Sequence, residues 1–126
     1  MSAPSARVLV VDDDPNILRV IAGLLSDEGL VVDTAPDGER ALVLLERNAP
    51  DLLILDVTLP AMDSSVIADR LRELRGETAP VLVITADGRA VEKARHLRAY
   101  GYLRKPFDLS NLLTSVWRVL GNSSAS

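Results

Sequence analysis

The sequence predicts an α/β protein whose five strands form one parallel sheet with helices on both faces. Two observations carry this. Short apolar runs recur five times along the chain, each followed by a longer segment with helical spacing. The runs inside "RVLVVD" and "DLLILD" are also apolar without interruption, as in strands covered on both faces. Right-handed crossovers between parallel strands place the connecting helices on the two faces of the sheet.

The elements follow in order. "RVLVVD" (7–12) is the first strand. Pro15 suits the first turn of the helix that follows, with Asp14 as its cap. Ile17, Ile21, Leu24 and Leu25 form the inner stripe, Leu18 lies beside it, and Gly29 stops the helix. "LVVDTA" (30–35) is a short second strand, and "DGERALVLLERN" (37–48) a helix offering Ala41, Leu42, Leu44 and Leu45 to the core. "DLLILD" (51–56) is the third strand. "SSVIADRLREL" (64–74) is an amphipathic helix read through Val66, Ile67, Arg70 and Leu74. "PVLVIT" (80–85) is the fourth strand, and "GRAVEKARHLRA" (88–99) a polar helix with few core anchors. "YGYLRK" (100–105) is the fifth strand. "DLSNLLTSVWRVL" (108–120) is the last helix, capped by Asp108, with Leu109, Leu112, Val116 and Leu120 as its stripe.

A chain of 126 residues suits one domain with a proper core. That domain is expected over 7–120, with polar tails at 1–6 and 121–126, the second a tail or the start of a linker. Eighteen acids against fourteen bases leave a net charge of −4, which argues against direct nucleic-acid binding. The lack of cysteine excludes disulfides, thiolate catalysis and cysteine zinc sites, and a single histidine, His96, excludes multi-histidine metal sites. "MSAPSAR" has no apolar signal core, and no apolar run approaches the ~20 residues that cross a bilayer. No membrane association and a cytoplasmic location are therefore expected.

The chemistry collects at the carboxyl ends of the strands, where parallel α/β sheets carry their sites. The first strand ends in Asp12, Asp13 and Asp14, the third in Asp56, the fourth in Thr85 and Ala86, and the fifth in Lys105 and Pro106; the second offers only Asp33 and Thr34. Neighbouring strands lie ~4.8 Å apart, so these groups are within reach of one another. Adjacent carboxylates repel, and a divalent cation offsets that repulsion; hard oxygen donors suit Mg²⁺ or Mn²⁺. Thr85 and Lys105 add a donor and a positive charge suited to phosphoryl oxygens, and one carboxylate then serves as nucleophile. Singly, these residues read as a helix cap, a turn residue and a surface charge. Their joint occurrence at four strand ends is what makes a site.

With these motifs the chain resembles the receiver domains of two-component response regulators, from Arg7 to about Leu120. The family's acidic motif is matched by "VLVVDDDP", its phosphoacceptor motif by "DLLILDVTLPAMDS", and its later strands by "VLVITA" and "GYLRKPF". The resemblance implies a flavodoxin-like (βα)5 fold with strand order 2-1-3-4-5. It implies Asp56 as phosphoacceptor, Asp13 as a direct Mg²⁺ ligand, Asp12 as a helper often acting through water, and the Thr58 carbonyl as a further ligand. Lys105 would pair with the acceptor and then the phosphoryl group, Thr85 would be the switch hydroxyl, and Ala86 would meet the phosphate. Tyr102 matches the aromatic switch position, which is compatible with the plain reading of a ring packed on the fourth helix, and the Lys105–Pro106 bond would be cis. Implied partners are a sensor histidine kinase or phosphotransfer protein, and an output domain or target reached through the fourth helix, fifth strand and fifth helix, with a homodimer as a further option.

Some positions depart from the family. Ser64 and Arg98 stand where glycine is usual, which puts the loop after the third strand and the turn into the fifth in question; Ser64 could instead cap the third helix. The resemblance also implies that Thr58 and Asp87 fall where side chains tune water access. Two other functions fit parts of the same pattern. Asp12 and Asp14 form an aspartate-x-aspartate pair like that of Mg²⁺-dependent haloacid-dehalogenase-like phosphohydrolases, although Pro15 makes Asp14 a cap. An interaction module that has lost phosphorylation keeps the fold but has no need of the intact site. His96 reads as a solvated helix residue, and periodicity does not decide whether Trp117 faces the core or a partner.

Overall fold

A computed structural model describes residues 6–58, 64–86, 88 and 90–121. Strands and helices alternate: β1 (Arg7–Val11), α1 (Pro15–Asp27), β2 (Val31–Ala35), α2 (Gly38–Arg47), β3 (Leu52–Asp56), α3 (Ser64–Arg75), β4 (Val81–Thr85), α4 (Ala90–His96), β5 (Gly101–Arg104) and α5 (Leu109–Val119). The sheet is parallel throughout, in the order β2-β1-β3-β4-β5. The expected tails fall outside the described residues except for Ala6 and Gly121.

The uninterrupted apolar runs have a simple cause. Successive residues of a strand point to opposite faces, and here both faces are covered. Leu9, Val11, Leu53, Leu55, Val81 and Val83 pack with Ala41, Leu45, Ile67 and Leu71 from α2 and α3. Val8, Val10, Leu52, Ile54, Leu82 and Ile84 pack with Ile21, Leu25, Leu112 and Val116 from α1 and α5. Each fully buried aliphatic side chain of this kind contributes about 1.5–3 kcal/mol. The edge strands are different: β2 buries only Ala35, and β5 alternates, leaving Tyr102 and Arg104 exposed.

Register aligns the strand ends. Val11 lies opposite Ala35 and Leu55, Asp56 opposite Ile84, and Thr85 opposite Arg104. The helices start as the sequence indicates. Asp14 accepts from the Asn16 amide at 2.9 Å ahead of Pro15, and Asp37 accepts from the Arg40 amide at 2.8 Å. Asp108 holds the cap position of α5 but its side chain makes no capping bond. Gly29, at φ 88°, takes the left-handed turn that ends α1. The Lys105–Pro106 bond is cis.

Three expectations change. The buried stripe of α3 is Ile67, Ala68, Leu71 and Arg72, whereas Val66 and Leu74 are 47% and 37% exposed. Rows 66/70/74 and 67/71 are neighbours on the helix, and only the second faces the sheet; Arg70 instead pairs across the surface with Glu46 of α2. Leu109, expected in the α5 stripe, is exposed and lines an open groove. Ser64 stands within α3, and its hydroxyl donates to the Asp56 carbonyl at 3.4 Å. At the other departure, Arg98 keeps a left-handed backbone, φ 54°, so the turn into β5 has the glycine conformation with a side chain added.

Candidate functional site

The site grows from the aligned strand ends. Asp12 follows β1, Asp56 closes β3, Thr85 closes β4 and Lys105 follows β5. Asp12, Asp56 and Thr85 are buried. The Lys105 amide donates to the Thr85 carbonyl at 2.8 Å, which extends the ladder far enough to bring the ammonium over the carboxylates. Its Nζ lies 3.0 Å from Asp56 Oδ2 and 2.8 Å from Asp12 Oδ2. Asp56 Oδ1 faces the other way and accepts from the Thr58 amide at 2.8 Å and the Thr58 hydroxyl at 2.6 Å. Asp12 Oδ1 accepts from the Asp14 amide at 2.9 Å.

Burial sets the electrostatics. It pushes the Asp12 carboxyl above its ordinary range; Lys105 and the Asp14 amide pull against this, repulsion from Asp56 adds to it, and the net direction is up. Burial also pulls Lys105 down, but its close pairing with the Asp12 and Asp56 carboxylates outweighs that and holds it above the usual lysine value. Lys105 is therefore charged at neutral pH.

The donor set fits a hard divalent cation. Carboxylate oxygens of Asp12, Asp13 and Asp56 lie within 4.8 Å of one another, with Asp13 exposed at the mouth. One ammonium faces three carboxylates. Asp12 Oδ2 is near that ammonium but off the direction of a well-formed hydrogen bond, so this buried oxygen accepts none among the described residues. Mg²⁺ bound by these carboxylates would meet both deficits, charge and coordination. Thr58, whose carbonyl is the expected further ligand, is fixed two residues beyond Asp56 by the bonds described above.

The other expected residues surround this centre. Ala86 is exposed just past β4, and Tyr102 is 43% exposed on β5. An apolar groove lined by Ile17, Val20, Pro106, Phe107 and Leu109 opens beside Ala86 and Lys105. Asp14 is held at the α1 cap and is not in the carboxylate cluster. His96 is exposed on α4, and Asp87 lies outside the described residues. Trp117 donates from Nε1 to Glu28 Oε1 at 3.3 Å and packs against the core between α1 and α5. Sequence reasoning missed the Thr58 hydroxyl, the Ser64 tether and the buried Arg72. The first two bonds depend on loop conformation, which has no periodic signature. For Arg72 a signal existed, its place one turn after Ala68 and beside Leu71, both on the buried face of α3.

A profile of the response regulator receiver domain matches residues 8–117. The chain belongs to the response regulator receiver domains. It is 43% identical over 112 residues to an uncharacterized 14.6 kDa protein of Leptolyngbya boryana, covering 86% of each. It is 40% identical over 108 residues to the transcriptional regulatory protein TcrA of Mycobacterium tuberculosis, covering 84% of this chain and 42% of that protein. The chain thus spans about half the length, or less, of several curated regulators that it matches. Among solved structures, the chemotaxis protein CheY4 of Vibrio cholerae superposes with a TM-score of 0.83 at 31% identity, covering 92% of this chain and 99% of that one. This receiver domain is a signalling module of the two-component type. Receiver domains bind Mg²⁺ at an acidic pocket, and the Asp12, Asp13 and Asp56 group is where this one could hold it.

Proposed function

We propose that this receiver, spanning 7–120, is a phosphorylation-dependent switch that takes a phosphoryl group onto Asp56 from a sensor histidine kinase or a phosphotransfer protein. The observation that carries the reading is one buried carboxylate, Asp56, held between a lysine ammonium at 3.0 Å and an acidic cluster suited to a cation. A carboxylate oxygen of Asp56 attacks phosphorus, the bond to the donor's imidazole nitrogen breaks with its electron pair on that nitrogen, and the imidazole takes up a proton. Asp12, Asp13, Asp56 and the Thr58 carbonyl would hold Mg²⁺, or Mn²⁺ with the same donor preference, and the bound cation would supply charge neutralisation for the transferring group. Lys105 moves from pairing carboxylates to pairing the phosphoryl oxygens, which the Ala86 amide also meets. The apolar groove beside Lys105 gives a donor protein a place to seat against the site.

Output follows from Thr85 and Tyr102. The phosphoryl group draws the Thr85 hydroxyl, and Tyr102 follows, shifting the face of α4, β5 and α5 toward an output domain, a target protein or a second copy. Such a protein works in the cytoplasm, and neither nucleic acid nor membrane is a direct partner of this chain; among the described residues no helix is long and apolar enough to cross a bilayer. Its only chemistry is its own phosphorylation and dephosphorylation. A phosphohydrolase of the aspartate-x-aspartate type is disfavoured because Asp14 is committed to the α1 cap. Loss of phosphorylation is disfavoured by the intact cluster.

The test is transfer from a phosphorylated histidine kinase with Mg²⁺ or with chelator. Label moves to the wild type only with Mg²⁺, and Asp56→Asn takes none. Equal labelling of Asp56→Asn, or labelling indifferent to chelation, overturns the assignment.

A further inference from the structure

Arg72 is a buried arginine on the sheet-facing side of α3, 6% exposed. It sits eight residues, about 12 Å of helix, beyond the Ser64 hydroxyl that holds the Asp56 carbonyl. Its guanidinium leaves its own helix: Nη1 donates to the Leu97 carbonyl at 2.6 Å and Nη2 to the Arg98 carbonyl at 2.9 Å. These carbonyls belong to the turn immediately past His96, the last residue of α4, where the chain leaves the helix for β5. A positive group is also favoured at that end of the dipole.

The two bonds bracket one residue. Arg98 is at φ 54°, the left-handed conformation that costs a side-chain-bearing residue on the order of 1–2 kcal/mol. Fixing the carbonyls on either side of it fixes both of its peptide planes. The same turn is tied by the Ala99 amide to the Ala94 carbonyl and by the Tyr100 amide to the Val81 carbonyl, each at 2.8 Å. Burial along α4 is uneven: Ala94 and Leu97, toward the clamped end, are buried, whereas Val91 and Glu92 are exposed.

We propose that Arg72 is a positioning residue that clamps the C-terminal end of α4, making it the fixed pivot about which the helix moves. Its signalling consequence, that phosphorylation-linked movement is largest at the opposite end of α4, rests on the switch reading above. Lysine is a poor substitute, because one ammonium cannot span two carbonyls as a planar fork does.

Hydrogen exchange of the full chain tests this, with Mg²⁺ present and with or without beryllofluoride as the phosphoryl mimic. In the ligand-free state, Arg72→Met exchanges about 10- to 100-fold faster at amides 97–99, the scale of a lost charged hydrogen bond, while β1 and β3 are unchanged. Arg72→Lys recovers only part of the protection. Adding Arg98→Gly to Arg72→Met recovers much of it by removing the strain, a rescue that general loss of packing would not give. In the wild type, beryllofluoride changes exchange at 90–93 more than at 97–99. Unchanged protection at 97–99 in Arg72→Met overturns the clamp, and Arg72→Lys decides the point if the methionine variant does not fold. Equal wild-type changes at both ends of α4 overturn the pivot. No wild-type response anywhere counts against the switch, while the ligand-free comparison still decides the clamp.

Discussion

The two oxygens of Asp56 are unequal. Oδ2 faces Lys105, and Oδ1 carries both the amide and the hydroxyl of Thr58. A hydroxyl donor withdraws density from the oxygen it bonds and has to be released or shared when phosphorus approaches. Removing a single such bond is worth about 1 kcal/mol, or roughly fivefold in rate. Thr58→Ala is therefore expected to take phosphoryl from acetyl phosphate several-fold faster than wild type; an equal or slower rate would show that the hydroxyl is a spectator. Asp12 gives a pH prediction. Its folded pKa is raised by burial, so the folded protein binds this proton more tightly than the unfolded chain does. Stability from this group falls as pH climbs above the ordinary carboxylate value and stays lowered at neutrality. Without metal, Asp12→Asn should melt several degrees higher at pH 7, with the gain shrinking toward pH 4 in thermal denaturation. Asp12, Asp13, Asp56, Thr85 and Lys105 were legible because they are polar residues placed where a strand should end. The Thr58 hydroxyl bond was not, since a turn residue's rotamer leaves no trace in the pattern of apolar positions.

Helix α3 shows what periodicity resolves and what it leaves open. Its spacing marks an amphipathic helix, but adjacent rows of side chains differ by one residue, and only packing selects the row that meets the sheet. Here Ile67 and Leu71 are fully buried and Val66 is exposed. Leu71→Ala should cost about 2–5 kcal/mol in denaturant unfolding and Val66→Ala no more than about 0.5. The reverse order would place the wrong face against the core. Helix α4 was legible as weakly anchored, since its sequence offers few apolar positions. Its anchor, Arg72, lies on another helix and makes polar bonds, which a search for apolar stripes passes over.

For the whole molecule, alternation and continuous apolar runs sufficed to give a parallel sheet between two helical layers, and the resemblance supplied the strand order found in the structure. The same architecture explains why like charges gather at one end. Both cores draw the strands into register, and the register delivers three carboxylates to one place. A cation bound there should raise the melting temperature of the entire chain, because it binds the folded state alone. Millimolar Mg²⁺ is expected to stabilise the wild type at neutral pH and to have much less effect on Asp13→Asn; equal shifts would remove Asp13 from the metal site.

The most direct measurement is to incubate the protein with acetyl phosphate and Mg²⁺, trap the acyl phosphate by borohydride reduction, and map the modified residue by mass spectrometry. Modification confined to Asp56 and abolished by chelation is the predicted result. A modification mapped to another residue, or none at all on folded protein with Mg²⁺ present, would contradict the account.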